Sequence, residues 1–465
     1  MIVTLLPACQ PINAACRPGR SRYGAARTTE SGAEMSESAP AEGLAAGAPV
    51  LLRRNRPFVF FWAAQLISNA GTQVSELAIP LTAVLVLSAT PTEMGWLTAM
   101  EPLPSLALGL FLGVLVDRVR RGRLLFWCNL GQGLAIGTIP VAKLFGVLTL
   151  PQLYVVTFVA AGLALAYGLA HTAFVPVLVT DRQQLPAANS SIALSDSVAA
   201  VGGPGLGGVL VQVLTAPIAA AVDAVSFVVA ATLQLGGLRV DPLPAPAGRI
   251  GLSLREGFAA FRRHRGVVAL TVAKAIPDFF HWGAMALYVL YAVRELHLSP
   301  ATIGLVAMIG SLGPVVAGFI AAPVGGRFGA AWTSVLATVL FSGAALVTPL
   351  AAGPSWLVIT TLTLGQFLGG LGVVYLIIVR ATMLQQLVAP HLLGRVGAVI
   401  QLIEWGPGPV GGIVGGLLGA ALGLRTGLLV IALGGLLAVP WIAVEAARGH
   451  LSAVRADGCT RPISS

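Results

Sequence analysis

The sequence predicts an all-α integral membrane protein whose twelve transmembrane helices form two six-helix repeats, and three observations carry that reading. Of 465 residues, 56% are hydrophobic and only 10% charged, against roughly 25% charged in an ordinary soluble domain, and the mean hydropathy is +0.86. The apolar residues run continuously over stretches that suit the about 20 residues needed to cross a bilayer, rather than alternating as in a membrane β-barrel. Arginines punctuate these runs at alternate boundaries, the mark of positive loops retained on one side of a membrane.

In chain order, residues 1 to 50 are rich in Ala, Gly, Ser and Pro without apolar periodicity and read as a disordered tail. Met35, opening "MSESAP", is a plausible alternative start. A first bundle over 51 to 238 holds spans at approximately 57 to 87, 92 to 116, 122 to 146, 151 to 178, 188 to 214 and 217 to 237. The linker, 239 to 266, contains "LSLREGFAAFRRHRGVV", whose apolar residues at helical spacing between arginines read as an interfacial amphipathic helix. A second bundle over 267 to 448 holds spans at 267 to 293, 300 to 323, 328 to 350, 354 to 384, 393 to 421 and 424 to 446, and 449 to 465 form a C-terminal tail.

The halves repeat. "PTEMG" at 91 to 95 corresponds to "PATIG" at 300 to 304, an offset of 209 that also carries Gly109 onto Gly318, Arg118 onto Arg327 and Asn69 onto Asp278. In later spans the offset reads as drifting to 204, with Gly207 and Gly208 near Gly411 and Gly412. Internal repeats of this kind mark many secondary transporters.

Charge sets the orientation and excludes other classes. Arg53, Arg54, Arg56, Arg118, Arg120, Arg121, Arg123, Arg182, the arginines from Arg239 to Arg265, Arg327, Arg395 and Arg448 share one side, leaving Arg294 and Arg425 opposite; both termini are thus expected to be cytoplasmic. The net charge of +10 does not indicate nucleic acid, because no basic face of a soluble fold accompanies it. Cysteines at 9, 16, 128 and 459 have no metal-ligand or disulfide spacing, and no phosphate-binding "GxxxxGK" loop occurs. Neither a metal nor a cofactor is expected.

The loop "GVLVDRVRRGRLL", 113 to 125, packs Asp117, Arg118, Arg120, Arg121 and Arg123 between two apolar runs. Topology accounts for the arginines but not for the acid. The loop resembles the signature of the major facilitator superfamily at Gly113, Asp117, Arg118, Arg121 and Leu125, departing at Arg120 and Gly122; the second-half copy has Gly326 in place of the acid. "GGPGLGG" in the fifth span is similar to the glycine-proline motif of drug:proton antiporters at Gly203, Pro204, Gly207 and Gly208, with Ala199 at the leading glycine. Simple close packing explains those small residues equally well. "QLISNAGTQVSELAIPL" and "LVTDRQQLPAANS" resemble the macrolide and siderophore (enterobactin-type) exporters. The resemblance implies a bacterial cytoplasmic-membrane carrier, functional as a monomer, that exchanges protons for an amphipathic drug or siderophore-like metabolite; uptake of a small metabolite and a non-transporting scaffold are the alternatives.

Ionisable groups at membrane depth cost roughly 2.5 to 3.5 kcal/mol each, so they mark candidate sites. Glu76 reads as a protonatable carboxylate of the central cavity or as a hydrogen-bonded acid near a helix end. Lys274, Asp278 and His281 share one helical face, a proton relay or a static ion pair placed by Pro277 near the cytoplasmic end, with the static pair favoured. His171 is packing or a proton carrier. Lys274 and Arg380 are expected to snorkel. Glu404 is read as a partner of the Asp117 region, a latch between halves, or as an acid bonded to its own neighbours Gln401 or Trp405. Phe174, Trp282, Tyr288, Phe367 and Tyr375 fall on spans expected to line the substrate cavity.

Overall fold

The computed structural model describes residues 55–179, 181–236, 251–389 and 392–451; both expected tails lie outside this range, save the first residues of the second. All regular structure among the described residues is helical. The first half comprises α1 (Arg56–Leu85), α2 (Pro91–Met100), α3 (Leu103–Arg118), α4 (Arg121–Leu144), α5 (Leu150–Leu178), α6 (Leu185–Leu214) and α7 (Ala216–Leu235). Helix α8 (Gly251–Arg263) lies in the linker. The second half comprises α9 (Arg265–Arg294), α10 (Pro300–Gly310), α11 (Leu312–Phe328), α12 (Ala330–Leu350), α13 (Ser355–Leu387), α14 (Leu393–Trp405), α15 (Gly408–Leu422), α16 (Leu424–Gly435) and α17 (Ala438–Ala447).

Joined end to end, α2–α3, α10–α11, α14–α15 and α16–α17 bring these to twelve rods, consistent with the twelve expected spans. Eight rods are long and apolar enough to cross a membrane by length and composition. The other four are α1, α2–α3, α9 and α14–α15, which carry polar groups in mid-helix or a break. Three breaks have a local cause: Pro102 and Pro407 lack the N–H that would continue the ladder, and Gly434–Gly435 weakens it. The second, eleventh and twelfth spans are therefore interrupted where the sequence reads as continuous.

Local signals set the starts. Asn55 accepts the Phe58 N–H and caps α1. Thr90 and Glu93 form a reciprocal capping box before Pro91, and Ser299 caps α10 before Pro300, so the repeat extends to the caps.

Backbone contacts fix the repeat more tightly than the sequence does. A Cβ on Gly207 would fall 3.1 Å from the Val74 Cα, and one on Gly415 would fall 2.4 Å from the Gly283 Cα. Likewise Gly208 meets Gly304 and Pro300, while Gly416 meets Gly95 and Pro91. These equivalences run from 207 to 415 and from 208 to 416, an offset of 208, with 209 retained from Val74 to Gly283 and from Gly95 to Gly304. The drift to 204 is corrected accordingly.

The halves meet where α2 crosses α15 and α6 crosses α10, all at the Arg-poor end, where Arg294 also donates to the Ala89 carbonyl at 2.8 Å. Toward the Arg-rich end no crossing of that extent joins the halves among the described residues, α3 touching α14 only slightly, and a Cβ on Gly109, Gly113, Gly318 or Gly397 would meet nothing within 4 Å. The molecule is closed at one end and open at the other.

Candidate functional site

Two polar networks occupy equivalent positions of the two halves. In the second half, Lys274 and Asp278, four apart on α9, form an ion pair at 2.5 Å. Glu404 on α14 reaches Lys274 at 3.5 Å and pairs with Arg380 on α13. All four side chains are nearly buried, and two cations balance two anions. Such a cluster resists the desolvation cost of its members only because each charge has a partner.

This arrangement bears on several sequence readings. Lys274 and Asp278 are ion-paired, and they lie from a third to nearly half of the way along the 30-residue α9 and not at its end. Lys274 and Arg380 are buried in ion pairs rather than snorkelling. Glu404 pairs with its own half's cations instead of the Asp117 region, across spans too distant in sequence for spacing to reveal. The Asp117 side chain lies outside the described residues. Of its loop, Arg118 is exposed, Gly113 borders open space, and Arg121 donates to the Ala173 carbonyl at 3.1 Å, tying α4 to α5. His281 makes no ion pair but lies within electrostatic reach of Asp278 and Lys274, solvent-accessible with its ring 6.0 Å from Phe341.

The equivalent first-half positions are neutral but for one acid. Gln65 stands at the Lys274 position and accepts the Tyr167 hydroxyl at 2.8 Å; Tyr167 in turn accepts from Gln234 at 3.1 Å. Asn69 stands at the Asp278 position and donates to Asp196 at 2.5 Å. Asp196 occupies the Glu404 position, by the offset of 208. His171 is buried between the rings of Phe61 (4.9 Å) and Tyr167 (5.9 Å), a position that suits packing, with its Nε2 left without a hydrogen-bond partner.

Further toward the Arg-poor end, Glu76 accepts from the Gln73 amide at 3.0 Å. It is surrounded by neighbouring helices while remaining solvent-accessible, as for a group lining an internal cavity, and so is Glu101 at the α2–α3 break. Asp223 is fully buried on α7, within 3.2 Å of the Ser226 hydroxyl, and Gly71 of α1 is pressed against both.

The aromatic readings are corrected in part. Phe174, Tyr288 and Tyr375 are buried in helix-packing cores, and Tyr375 donates to Thr333. Only Trp282, close to Trp405 at 6.3 Å, and Phe367 are partly accessible. The antiporter-like motif serves as a contact surface: Gly203 and Gly207 lie on α1 at Gln73 and Val74, while Pro204 and Gly208 meet α10. No metal-binding group of His, Cys, Asp or Glu occurs among the described residues.

A two-bundle helical membrane protein, closed at one end and polar at its centre, is a membrane transporter of the major facilitator type. Residues 47–456 match the transmembrane secretion effector family of that superfamily, to which the chain belongs. An uncharacterized transporter of the same type from Bacillus subtilis (strain 168), YfiS, is 28% identical over 162 residues, covering 35% of this chain and 37% of that protein. That match spans little more than a third of the relative's length. Solved structures share the fold. A bacterial homologue of the iron transporter ferroportin, in an inward-facing state, has a TM-score of 0.68 at 16% identity, covering 84% of this chain and 99% of that one. A bacterial homologue of the human lysosomal transporter Spinster, inward-facing and unoccupied, has 0.67 at 15%, covering 87% and 99%. The nucleoside transporter NupG has 0.67 at 11%, covering 83% and 98%.

Proposed function

We propose that this chain is a proton-coupled exporter of amphipathic compounds, macrolide-like drugs or a siderophore-like metabolite, working by alternating access in a bacterial cytoplasmic membrane. The observation that carries the reading is Glu76: an accessible carboxylate two-thirds along a 30-residue membrane helix, without an ion-pair partner among the described residues. A carboxylate so placed is poised to trade a proton for substrate as the cavity changes sides. With the Arg-rich end cytoplasmic, the open end faces inward, where an exporter loads. Membrane potential supplies about 2.3 kcal/mol per charge per 100 mV. Gly113, Asp117, Arg118 and Arg121 form the inner latch of the cycle, Glu404 braces the second half, and Asp278 with His281 are secondary proton candidates.

The test uses inverted membrane vesicles energised by respiration, with a pH-sensitive dye, on addition of macrolides, cationic dyes and catecholates. Substrate-dependent loss of the gradient in the wild type, abolished by Glu76→Gln, supports the reading. Gradient loss that survives Glu76→Gln moves the proton site elsewhere; no response to any compound, with the protein present in the membrane, sinks drug export.

A further inference from the structure

We infer that Asp196 of α6 is a proton-binding site in the first half, separate from Glu76. The argument rests on internal symmetry. Asp196 is the positional twin of Glu404, and Asn69 that of Asp278, because α1 crosses α6 as α9 crosses α14–α15 with glycine contacts offset by 208 and 209. Glu404 is neutralised by Arg380 and Lys274. Both cations are missing around Asp196: the Lys274 position is Gln65, and the Arg380 position falls at His171–Thr172 of α5.

Among the described residues, no cation on the surrounding helices replaces them. Helices α5, α6, α7 and α10, which surround or contain Asp196, hold no lysine or arginine, and α1 holds only Arg56, about 20 Å along the helix from Asn69 at 1.5 Å per residue. Besides Arg56, the titratable groups on the surrounding helices are Tyr154, Tyr167 and His171 of α5, Glu76 of α1 and Asp223 of α7. None forms an ion pair with Asp196 among the described residues. Its Oδ1 accepts one amide bond from Asn69 at 2.5 Å; the neutral Gln65 side chain is its other polar neighbour, and Oδ2 is buried without a partner within hydrogen-bond distance. An ionised carboxylate with an orphaned, desolvated oxygen and no counter-ion is costly. Adding one proton to Oδ2 removes the charge, and the half-buried side chain leaves a route for that proton to leave. The second half holds its acids with fixed cations; the first half holds Asp196 with an exchangeable one.

The coupling role rests on the transport reading above, but proton binding itself is measured without substrate. The full chain in lipid is titrated from acidic to alkaline pH while the carbonyl-stretch band of protonated carboxyl groups is followed by infrared difference spectroscopy. Asp196→Asn is expected to lose one component of the band, Asp196→Glu to shift it, and Gln65→Lys, which installs the twin of Lys274, to remove it with Asp196 still present. Asp278→Asn and Glu404→Gln are expected to leave that component in place. An unaltered band in Asp196→Asn, or one kept in folded Gln65→Lys, overturns the proposal. If vesicle antiport is then intact, only this site falls; if the band behaves as expected but no compound dissipates the gradient, the site stands and drug export falls.

Discussion

Equivalent positions in the two halves solve the same problem in opposite ways. Around Glu404 the second half uses ion pairs, each charge answered by another; around Asp196 the first half uses amides and a phenol, with Gln65, Asn69 and Tyr167 in hydrogen bonds. A fully paired cluster fixes the relative positions of α9, α13 and α14. The amide network holds α1 on α6 and α5 without fixing a charge, so its one acid is free to change protonation. On the proposal above, the second half is the rigid one and the first half the one that exchanges a proton.

The largest effect is expected where a charge loses its partner. Glu404→Gln leaves Lys274 and Arg380 buried with one anion between them, and stability is expected to fall by about 3 to 5 kcal/mol, read as a large drop in thermal unfolding temperature of the purified protein. Replacing Glu404 and Arg380 together by Met is expected to restore most of the loss, since the pair leaves as a unit. If the double variant is no more stable than the single, the cluster is not a set of mutually compensating charges.

Next come the crossings. Gly415→Ala drives a Cβ to 2.4 Å from the Gly283 backbone, whereas Gly207→Ala approaches Val74 at 3.1 Å. Overpacking is expected to cost about 1 to 3 kcal/mol at Gly415 and less at Gly207, measured as the difference in unfolding midpoint. Equal costs would mean that the two crossings are alike despite their geometry. Smaller again is Asp196→Asn, which keeps an acceptor for Asn69 and is expected to change stability by about 1 kcal/mol or less, a sharp contrast with its twin Glu404.

These twins were only half legible in the sequence. The twelve spans, the 209 offset and the Asn69–Asp278 equivalence follow from hydropathy and from residues that recur at one spacing. The α6–α15 register does not, because the second half carries glycine doublets at both 411–412 and 415–416, so the Gly207–Gly208 doublet matches itself at two offsets and only backbone contact chooses. The Lys274–Asp278 pair is readable from i, i+4 spacing, while Glu404 with Arg380 joins residues on different helices. For Phe174, Tyr288 and Tyr375 the sequence gives the helix but not the face. In a membrane bundle the lipid and the interior are both apolar, so hydropathy does not tell which face of such a helix points inward.

The smallest effect tests whether the linker belongs to the rigid half. Helix α8 lies on α14, with Glu256 paired to Arg395, Gly257 so close that an added Cβ would fall 2.6 Å from the Arg395 carbonyl oxygen and Phe261 buried beneath; no helix of the first half is docked in this way among the described residues. The ion pair is about half exposed on both sides, so Glu256→Gln is expected to lower stability by no more than about 1 kcal/mol and by less at high salt. Proteolytic cleavage of the linker after Arg262 or Arg263 reports the same docking more directly. If α8 is held by packing at Gly257 and Phe261, cleavage in Glu256→Gln stays slow while in Gly257→Ala it accelerates. Equal acceleration in both variants would make the exposed pair, and not the apolar face, the anchor that ties the linker to the ion-paired half.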